Sequence, residues 1–180
     1  MNLPNKLTIF RVILVPFFVI LMKLVPLNWA FRYIALVVFI VASLTDLLDG
    51  KIARKYNLVT DFGKFMDPLA DKLLVCSAMI CLISTGQLAD WMVIIVVGRE
   101  FVISGFRLIA ANNNVVIAAS MWGKSKTVVQ MAMIIVLLLN IPLMFFYILG
   151  QILIYAAVIL TVVSLIDYLA KNKNVLSSQK

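Results

Sequence analysis

Four aspartates occupy two short stretches of this 180-residue chain at helical spacings. Asp46 and Asp49 are three residues apart, and Asp67 and Asp71 are four apart. On α-helices, each pair presents two carboxylates on one face. Four carboxylates at one depth in a medium of low dielectric constant repel one another unless they are protonated or a cation compensates them. We therefore predict a divalent-metal site of the kind that stabilises phosphoryl transfer.

The amino-acid composition limits which metal ions and which catalytic side chains this site can use. The chain contains no histidine, which excludes histidine general bases, Ser-His-Asp triads and the usual zinc sites. Ligation by oxygen alone favours a hard ion, so we expect one or two Mg²⁺ or Mn²⁺ ions. The alternative is that the four aspartates are solvated loop residues, but their regular spacing and the apolar residues between them argue against it.

Two small residues and an arginine follow the first aspartate pair. Gly50 and Ala53 clear one side of the helix, either for a neighbouring helix or for a flat ligand. Arg54 beside them is suited to bind a diphosphate, with an interfacial anchor as the alternative. Beside a metal cluster, we favour a ligand pocket.

The elements that must position these residues are membrane helices. Apolar residues make up 64% of the chain and charged residues 13%, which is not a soluble composition. Apolar windows of roughly 20 residues, long enough to cross a bilayer, predict an all-α membrane protein with six transmembrane helices in a single domain, 1–180. The predicted spans are 8–26, 31–55, 66–86, 90–110, 125–148 and 151–170, with breaks at 26–28, 85–86, 112–114 and Gly150.

Basic residues predict the orientation of these spans. With the N-terminus inside, every Lys and Arg except Lys23, Arg32 and Arg99 falls on the cytoplasmic side. We therefore expect a multi-pass protein of the cell membrane, with both termini and the acidic cluster cytoplasmic, at the ends of helices 2 and 3. The net charge of +8 suits anionic lipid headgroups better than nucleic acid.

The acidic segment reads D-x-x-D-G-x-x-A-R-x8-G-x-x-x-D-x-x-x-D, with fixed residues Asp46, Asp49, Gly50, Ala53, Arg54, Gly63, Asp67 and Asp71. This motif resembles the signature of the CDP-alcohol phosphotransferases. The resemblance implies a six-helix membrane fold, usually dimeric, that moves a phosphatidyl or similar group from a CDP-linked donor to an alcohol and releases CMP. It also implies metal binding by the four aspartates and a general-base role for Asp71. The donor contacts that we expect come from Asp46, Asp49, Gly50, Ala53, Arg54, Thr60 and Gly63.

Other stretches resemble the members of this family that join CDP-diacylglycerol to glycerol 3-phosphate. In the opening segment, 2–11, Asn5 and Thr8 lie one turn apart, where they are expected to bind the cytidine or its ribose. The alternative is an amphipathic interfacial helix with Thr8 as a cap.

Four basic residues are candidates for binding the acceptor phosphate: Arg99, Arg107, Lys124 and Lys126. Arg99 lies near the middle of the fourth span, where a guanidinium needs a partner. That partner is either an anionic ligand or Glu100. For the other three, the alternative is the positive-inside bias.

Two further functions stay open. The same chemistry could use another acceptor, such as inositol phosphate, serine or a second phosphatidylglycerol. The four carboxylates could instead serve a divalent-cation transporter, although the outer halves of the spans contain almost no polar residues for such a path.

Overall fold

The computed structural model describes residues 2–55, 61–112 and 120–172, except for the side chains at 3–4, 47–55, 61–65, 67–68 and 111–112. The described residues confirm the all-α prediction, with six helices. These are α1 (Leu3–Leu24), α2 (Ala30–Lys55), α3 (Asp61–Ser84), α4 (Asp90–Asn112), α5 (Met121–Leu139) and α6 (Met144–Lys171).

The predicted breaks after the first and third helices are confirmed. Between α1 and α2, Asn28 accepts a hydrogen bond from the Ala30 amide at 2.9 Å. After α3, Gly86 has a φ of +71°, a left-handed conformation that glycine adopts without steric penalty. Local turn chemistry was therefore sufficient to place these ends.

The predicted break at Gly150 is wrong. Gly150 lies buried within α6, and the break between the last two helices comes earlier, where α5 ends at Leu139. Asn140 adopts a left-handed conformation as the C-cap of α5, and its amide bonds the Val136 carbonyl. Pro142 follows, and a proline disfavours helical backbone at the residue before it. Asparagine followed by proline was the stronger stop signal, because a single glycine is tolerated inside a helix.

The chain divides into two compact units, Met1–Gln87 with Leu137–Leu139, and Leu88–Val136 with Asn140–Lys180. In the first unit, α1 packs against α2 and α3, and α2 packs against α3. Phe18 and Phe39, both fully buried, bring their ring centroids to 6.1 Å. Small residues such as Ala42 and Ala78 are also fully buried among these helices. This packing fixes the helices that contain the acidic residues.

A polar cluster lies elsewhere in the first unit. The Gln87 side-chain carbonyl accepts a hydrogen bond from Arg32 Nη2 at 2.6 Å, and its amide donates to the Leu137 carbonyl at 3.0 Å. Thr85 Oγ1 also lies 3.2 Å from Gln87 Oε1. Gln87 therefore joins the start of α2 to the turn after α3 and to the end of α5.

In the second unit, α4 packs against α6. Ile103, Phe106 and Ala110 from α4 surround Tyr168 of α6 in a buried cluster. The rings of Phe106 and Tyr168 meet edge to face at 5.8 Å. This contact fixes the half of α4 that follows Arg99 against α6.

Three described helices are long and apolar enough to cross a membrane: Asn5–Leu24, Met121–Leu139 and Met144–Lys171. The face of α1 opposite its buried side exposes large apolar residues, including Phe10, Ile13, Phe17 and Ile20. An apolar surface of this kind suits lipid rather than water. These helices are consistent with a membrane protein.

Candidate active site

The buried side of α1 begins with polar residues. Asn5, Thr8 and Arg11 are buried at successive helical turns, and Val15 and Phe18 continue the same side with apolar residues. Thr8 lies inside α1, which begins at Leu3, so the alternative of Thr8 as a helix cap is wrong. Buried polar groups are retained where they have partners. This polar section lies beside the acidic end of α2.

Arg11 is the functional residue that sequence reasoning missed, since it was counted only among the cytoplasmic basic residues. Its side chain is 0% exposed, and its Nη1 lies 2.7 Å from Oδ1 of Asp46. The first aspartate of the signature is therefore held by an ion pair from another helix. The spacing of Asn5, Thr8 and Arg11 on one side of an apolar helix was the signal that could have revealed it.

The structure places the signature residues on two helices that pack together. Asp46 lies on α2 and Asp71 lies on α3, and both side chains are partly exposed. The remaining signature residues are on the same helices, but their side chains lie outside the described part: Asp49, Gly50, Ala53, Arg54, Gly63 and Asp67. Thr60 lies outside the described residues altogether. Among described side chains, no three acidic or thiol groups gather at one point.

Two of the four candidate acceptor residues meet at one carboxylate in the second unit. Glu100 Oε1 accepts from Arg99 Nη1 at 2.8 Å and from Lys126 Nζ at 2.6 Å. The Arg99, Glu100 and Lys126 side chains are 10%, 14% and 3% exposed. The pairing of Arg99 with Glu100 is therefore present, and the Glu100 carboxylate also orders Lys126.

The other two candidates have different surroundings. The Arg107 guanidinium lies over the ring of Tyr168, 5.8 Å from its centroid, and the residue is exposed. Lys124 is exposed near the start of α5. The predicted set of four is thus a buried pair and two surface residues.

Comparison with known proteins identifies the family of this chain. The model of the CDP-alcohol phosphatidyltransferase family matches residues 1–163. A Bacillus subtilis protein named CDP-diacylglycerol--glycerol-3-phosphate 3-phosphatidyltransferase is 44% identical, with 95% of each chain covered. A Haemophilus influenzae protein of the same name is 43% identical over 93% of this chain and 91% of its own. A Rickettsia felis protein, also of that name, is 38% identical over 93% of each. This chain belongs to the CDP-alcohol phosphatidyltransferase family.

Proposed function

We propose that this protein transfers the phosphatidyl group of CDP-diacylglycerol to sn-glycerol 3-phosphate, giving phosphatidylglycerophosphate and CMP. The observation that carries the proposal is the near full-length similarity to several relatives named for this reaction. The complete eight-residue signature, whose members all lie on α2 or α3, supports the same conclusion. This reaction is a step of phospholipid biosynthesis.

The donor set fits a hard divalent cation. Asp46 and Asp71 are partly exposed carboxylates on helices that pack against each other and against α1. Asp49 and Asp67 complete an all-oxygen set, which favours one or two Mg²⁺ or Mn²⁺ ions. When bound, such ions supply electrostatic stabilisation of the negative charge on the transferring phosphoryl and the departing phosphate.

Side chains of this protein carry out the proton transfer and bind the diphosphate of the donor. Asp71 accepts the proton of the primary hydroxyl of glycerol 3-phosphate. The hydroxyl oxygen attacks the phosphorus that bears diacylglycerol, and the bond from that phosphorus to CMP breaks. Arg54 binds the diphosphate of the donor.

The remaining residues of the donor site either bind the cytidine end of the donor or allow the donor close to the helix backbone. Asn5 and Thr8, both buried on α1, bind the cytidine or its ribose. Gly50, Ala53 and Gly63 allow the donor close to the helix backbone, with Thr60 near the nucleotide. The acceptor phosphate is bound by the basic residues Arg99, Arg107, Lys124 and Lys126.

The membrane arrangement follows from the same reaction. All six helices cross the cell membrane, with both termini and the active site on the cytoplasmic side. There a lipid donor and a water-soluble acceptor can meet. Two copies of the chain form a dimer in the membrane, as the family resemblance implies.

The test is CMP release by the purified protein from CDP-diacylglycerol, with a panel of acceptors, with and without Mg²⁺. Wild type is expected to require Mg²⁺ and glycerol 3-phosphate. Asp71→Asn should lower kcat by about 10²- to 10⁴-fold, the usual contribution of a general base. Binding of Mn²⁺ and donor should persist in this variant. The matched control is Asp90→Asn, an exposed aspartate at the start of α4, which should keep full activity.

Each alternative has its own result in this assay. Full activity of Asp71→Asn would contradict the assigned base. Incorporation of labelled serine or inositol phosphate in place of glycerol 3-phosphate would contradict the acceptor. Flux of Mn²⁺ into liposomes without CMP release would favour the transporter.

A further inference from the structure

Arg32 lies near the start of α2, at the end of the first unit that is remote from the signature. Its side chain is partly buried. Because a helix rises about 1.5 Å per residue, Arg32 lies roughly 21 Å along the helix axis from Asp46. Arg32 is therefore too far from the acidic site to contact the reacting groups.

One hydrogen bond fixes the orientation of the Arg32 guanidinium. Its Nη2 donates to Gln87 Oε1 at 2.6 Å, and Gln87 Nε2 donates to the Leu137 carbonyl at 3.0 Å. Both ends of the Gln87 amide group are thus held, and Arg32 has a fixed anchor. A side chain that is ordered in this way loses less conformational entropy when it binds a ligand than a freely rotating one.

The other nitrogens of Arg32 lack an acceptor within the described part of the chain. Nε is buried and makes no hydrogen bond there, and the bond to Gln87 engages only Nη2. A guanidinium carries five N–H donors, and a buried donor without an acceptor is unfavourable. Arg32 also forms no ion pair with a carboxylate among the described residues. An anionic oxygen from outside the chain can therefore compensate the charge and accept the unused donors.

The surroundings of Arg32 are typical of the level of lipid headgroups. Trp29 and Tyr33 on either side of it in the sequence are exposed, and their rings meet edge to face at 5.5 Å. Tryptophan and tyrosine favour the membrane–water interface, where the phosphates of phospholipids lie. The stretches of the first unit at this end contain no Asp or Glu that could compete for the guanidinium: 20–33, 83–87 and 137–139. The environment thus favours a lipid phosphate as the partner of Arg32.

An apolar stripe on α2 begins beside this cation. Tyr33, Val37 and Val41 are four residues apart, so they lie on one side of the helix, and all three are exposed. A stripe of this kind can contact an acyl chain along its length, whereas inorganic phosphate gains nothing from it. The combination of a fixed cation and an apolar stripe therefore favours a phospholipid over a free anion.

We propose that Arg32 binds the phosphodiester group of a phospholipid through the donors that Gln87 leaves unused. One acyl chain of this lipid lies along Tyr33, Val37 and Val41. Gln87 is a positioning residue, since it acts only through Arg32. In the proposed orientation the lipid belongs to the leaflet opposite the active site. It takes no part in the reaction, so this site does not depend on the proposed function.

Lipid titration of the full-length protein in a non-ionic detergent, followed by native mass spectrometry, tests the site with dioleoyl phosphatidylglycerol. Arg32→Gln should raise the Kd for one bound lipid about tenfold or more, the value of a charge-assisted hydrogen bond. Lys23→Gln is the matched control, because Lys23 is an exposed cation in the last turn of α1. Its loss should change the Kd about twofold at most, as for other exposed charges. Equal effects of the two substitutions would indicate diffuse attraction and overturn the site.

Two further probes distinguish a phospholipid from its parts. Dioleoylglycerol has the acyl chains without the phosphate, and inorganic phosphate has the anion without the chains. Both should bind wild type more weakly than phosphatidylglycerol, and binding of dioleoylglycerol should be the same in Arg32→Gln. If inorganic phosphate displaces the lipid at equal concentration, the site accepts free phosphate and the lipid proposal is wrong.

Thermal unfolding without added lipid controls for folding, because Arg32→Gln also removes the hydrogen bond to Gln87. Arg32→Lys is the second variant, which keeps the charge and a donor but loses the planar fork. It should unfold near the wild-type temperature and bind phosphatidylglycerol about fivefold more weakly, between the wild type and a variant without the charge-assisted bond. Wild-type lipid affinity in Arg32→Lys would contradict the proposal even if Arg32→Gln fails to fold.

Discussion

At the scale of single residues, the ion pair between Arg11 and Asp46 connects the packing of α1 to the acidic site. Arg11 is completely buried, while the Asp46 side chain is 32% exposed. A carboxylate with this exposure can contact both the buried guanidinium and a ligand from solvent. The pair thereby limits the rotation of Asp46 and fixes its Oδ1. We expect Arg11 to affect both stability and metal binding.

Arg11→Met should lower the free energy of unfolding by about 3 kcal/mol, at the lower end of the range for breaking a buried pair because Asp46 is partly exposed. It should also weaken Mn²⁺ binding, since Asp46 then loses its ion pair with α1. Lys23→Met is the control, since Lys23 is an exposed basic residue of the same helix. A surface change of this kind is expected to stay within about 0.5 kcal/mol. Thermal unfolding in nanodiscs, together with Mn²⁺ titration, measures both effects; equal stability of Arg11→Met and wild type would contradict the role of the pair.

At the scale of elements, the boundary between the end of α5 and the start of α6 depends on the backbone conformation of one residue, Asn140. Asn140 has φ 44° and ψ 44°, which allows α5 to stop and the chain to turn toward α6. Asparagine tolerates the left-handed conformation better than most residues, and glycine adopts it with no penalty from a side chain. The separation of the two helices is thus encoded at Asn140 and Pro142.

Substitutions at Asn140 test this boundary. Asn140→Val should lower stability by about 1–2 kcal/mol, because a β-branched residue is strained at positive φ. Asn140→Gly should remain within about 0.5 kcal/mol of wild type, because the backbone conformation is preserved. Thermal unfolding of both variants under identical conditions provides the measurement. Equal loss of stability in the two variants would mean that the Asn140 side chain, rather than its backbone, determines the boundary.

At the scale of the whole molecule, the distribution of charge and aromatic residues supports the proposed orientation. In the first unit, Trp29 and Tyr33 are exposed at the end proposed to face away from the cytoplasm. Tryptophan and tyrosine favour the membrane–water interface, and Trp29 and Tyr33 meet edge to face at 5.5 Å. The signature residues lie at the other end of α2, near Lys55, and at the start of α3. The two ends of α1 are therefore expected to lie in different compartments.

Cysteine labelling tests this orientation. Cys76 and Cys81 do not form a disulfide, and each is first replaced by alanine so that it cannot react with the label. In intact cells, a membrane-impermeant maleimide should label Leu27→Cys and should not label Lys6→Cys until the membrane is permeabilised. Both positions are exposed, so accessibility in the folded protein is matched. The reverse labelling pattern would place the N-terminus and the active site outside.

Much of the fold and part of the site could be predicted from the sequence. The six helices followed from the apolar windows. Away from water, backbone N–H and C=O groups must hydrogen-bond within the protein, and a helix does this within a single apolar segment. The assignment of chemistry to α2 and α3 followed from the spacing of aspartates on single helices. The boundary at Gly150 was misjudged, because the position of a helix end depends on competing local signals at Asn140 and Pro142.

By itself, the sequence determined the protein family, the helical architecture and the acidic signature, since these depend on composition and on spacing within one helix. Only the tertiary structure decided which distant polar residues meet. Arg11 reaches Asp46 on another helix, and Glu100 bonds Lys126 across 26 residues of the chain. Helical periodicity specifies the side of its own helix on which a residue lies, but not which neighbouring helix packs there. These partners were therefore determined by helix packing.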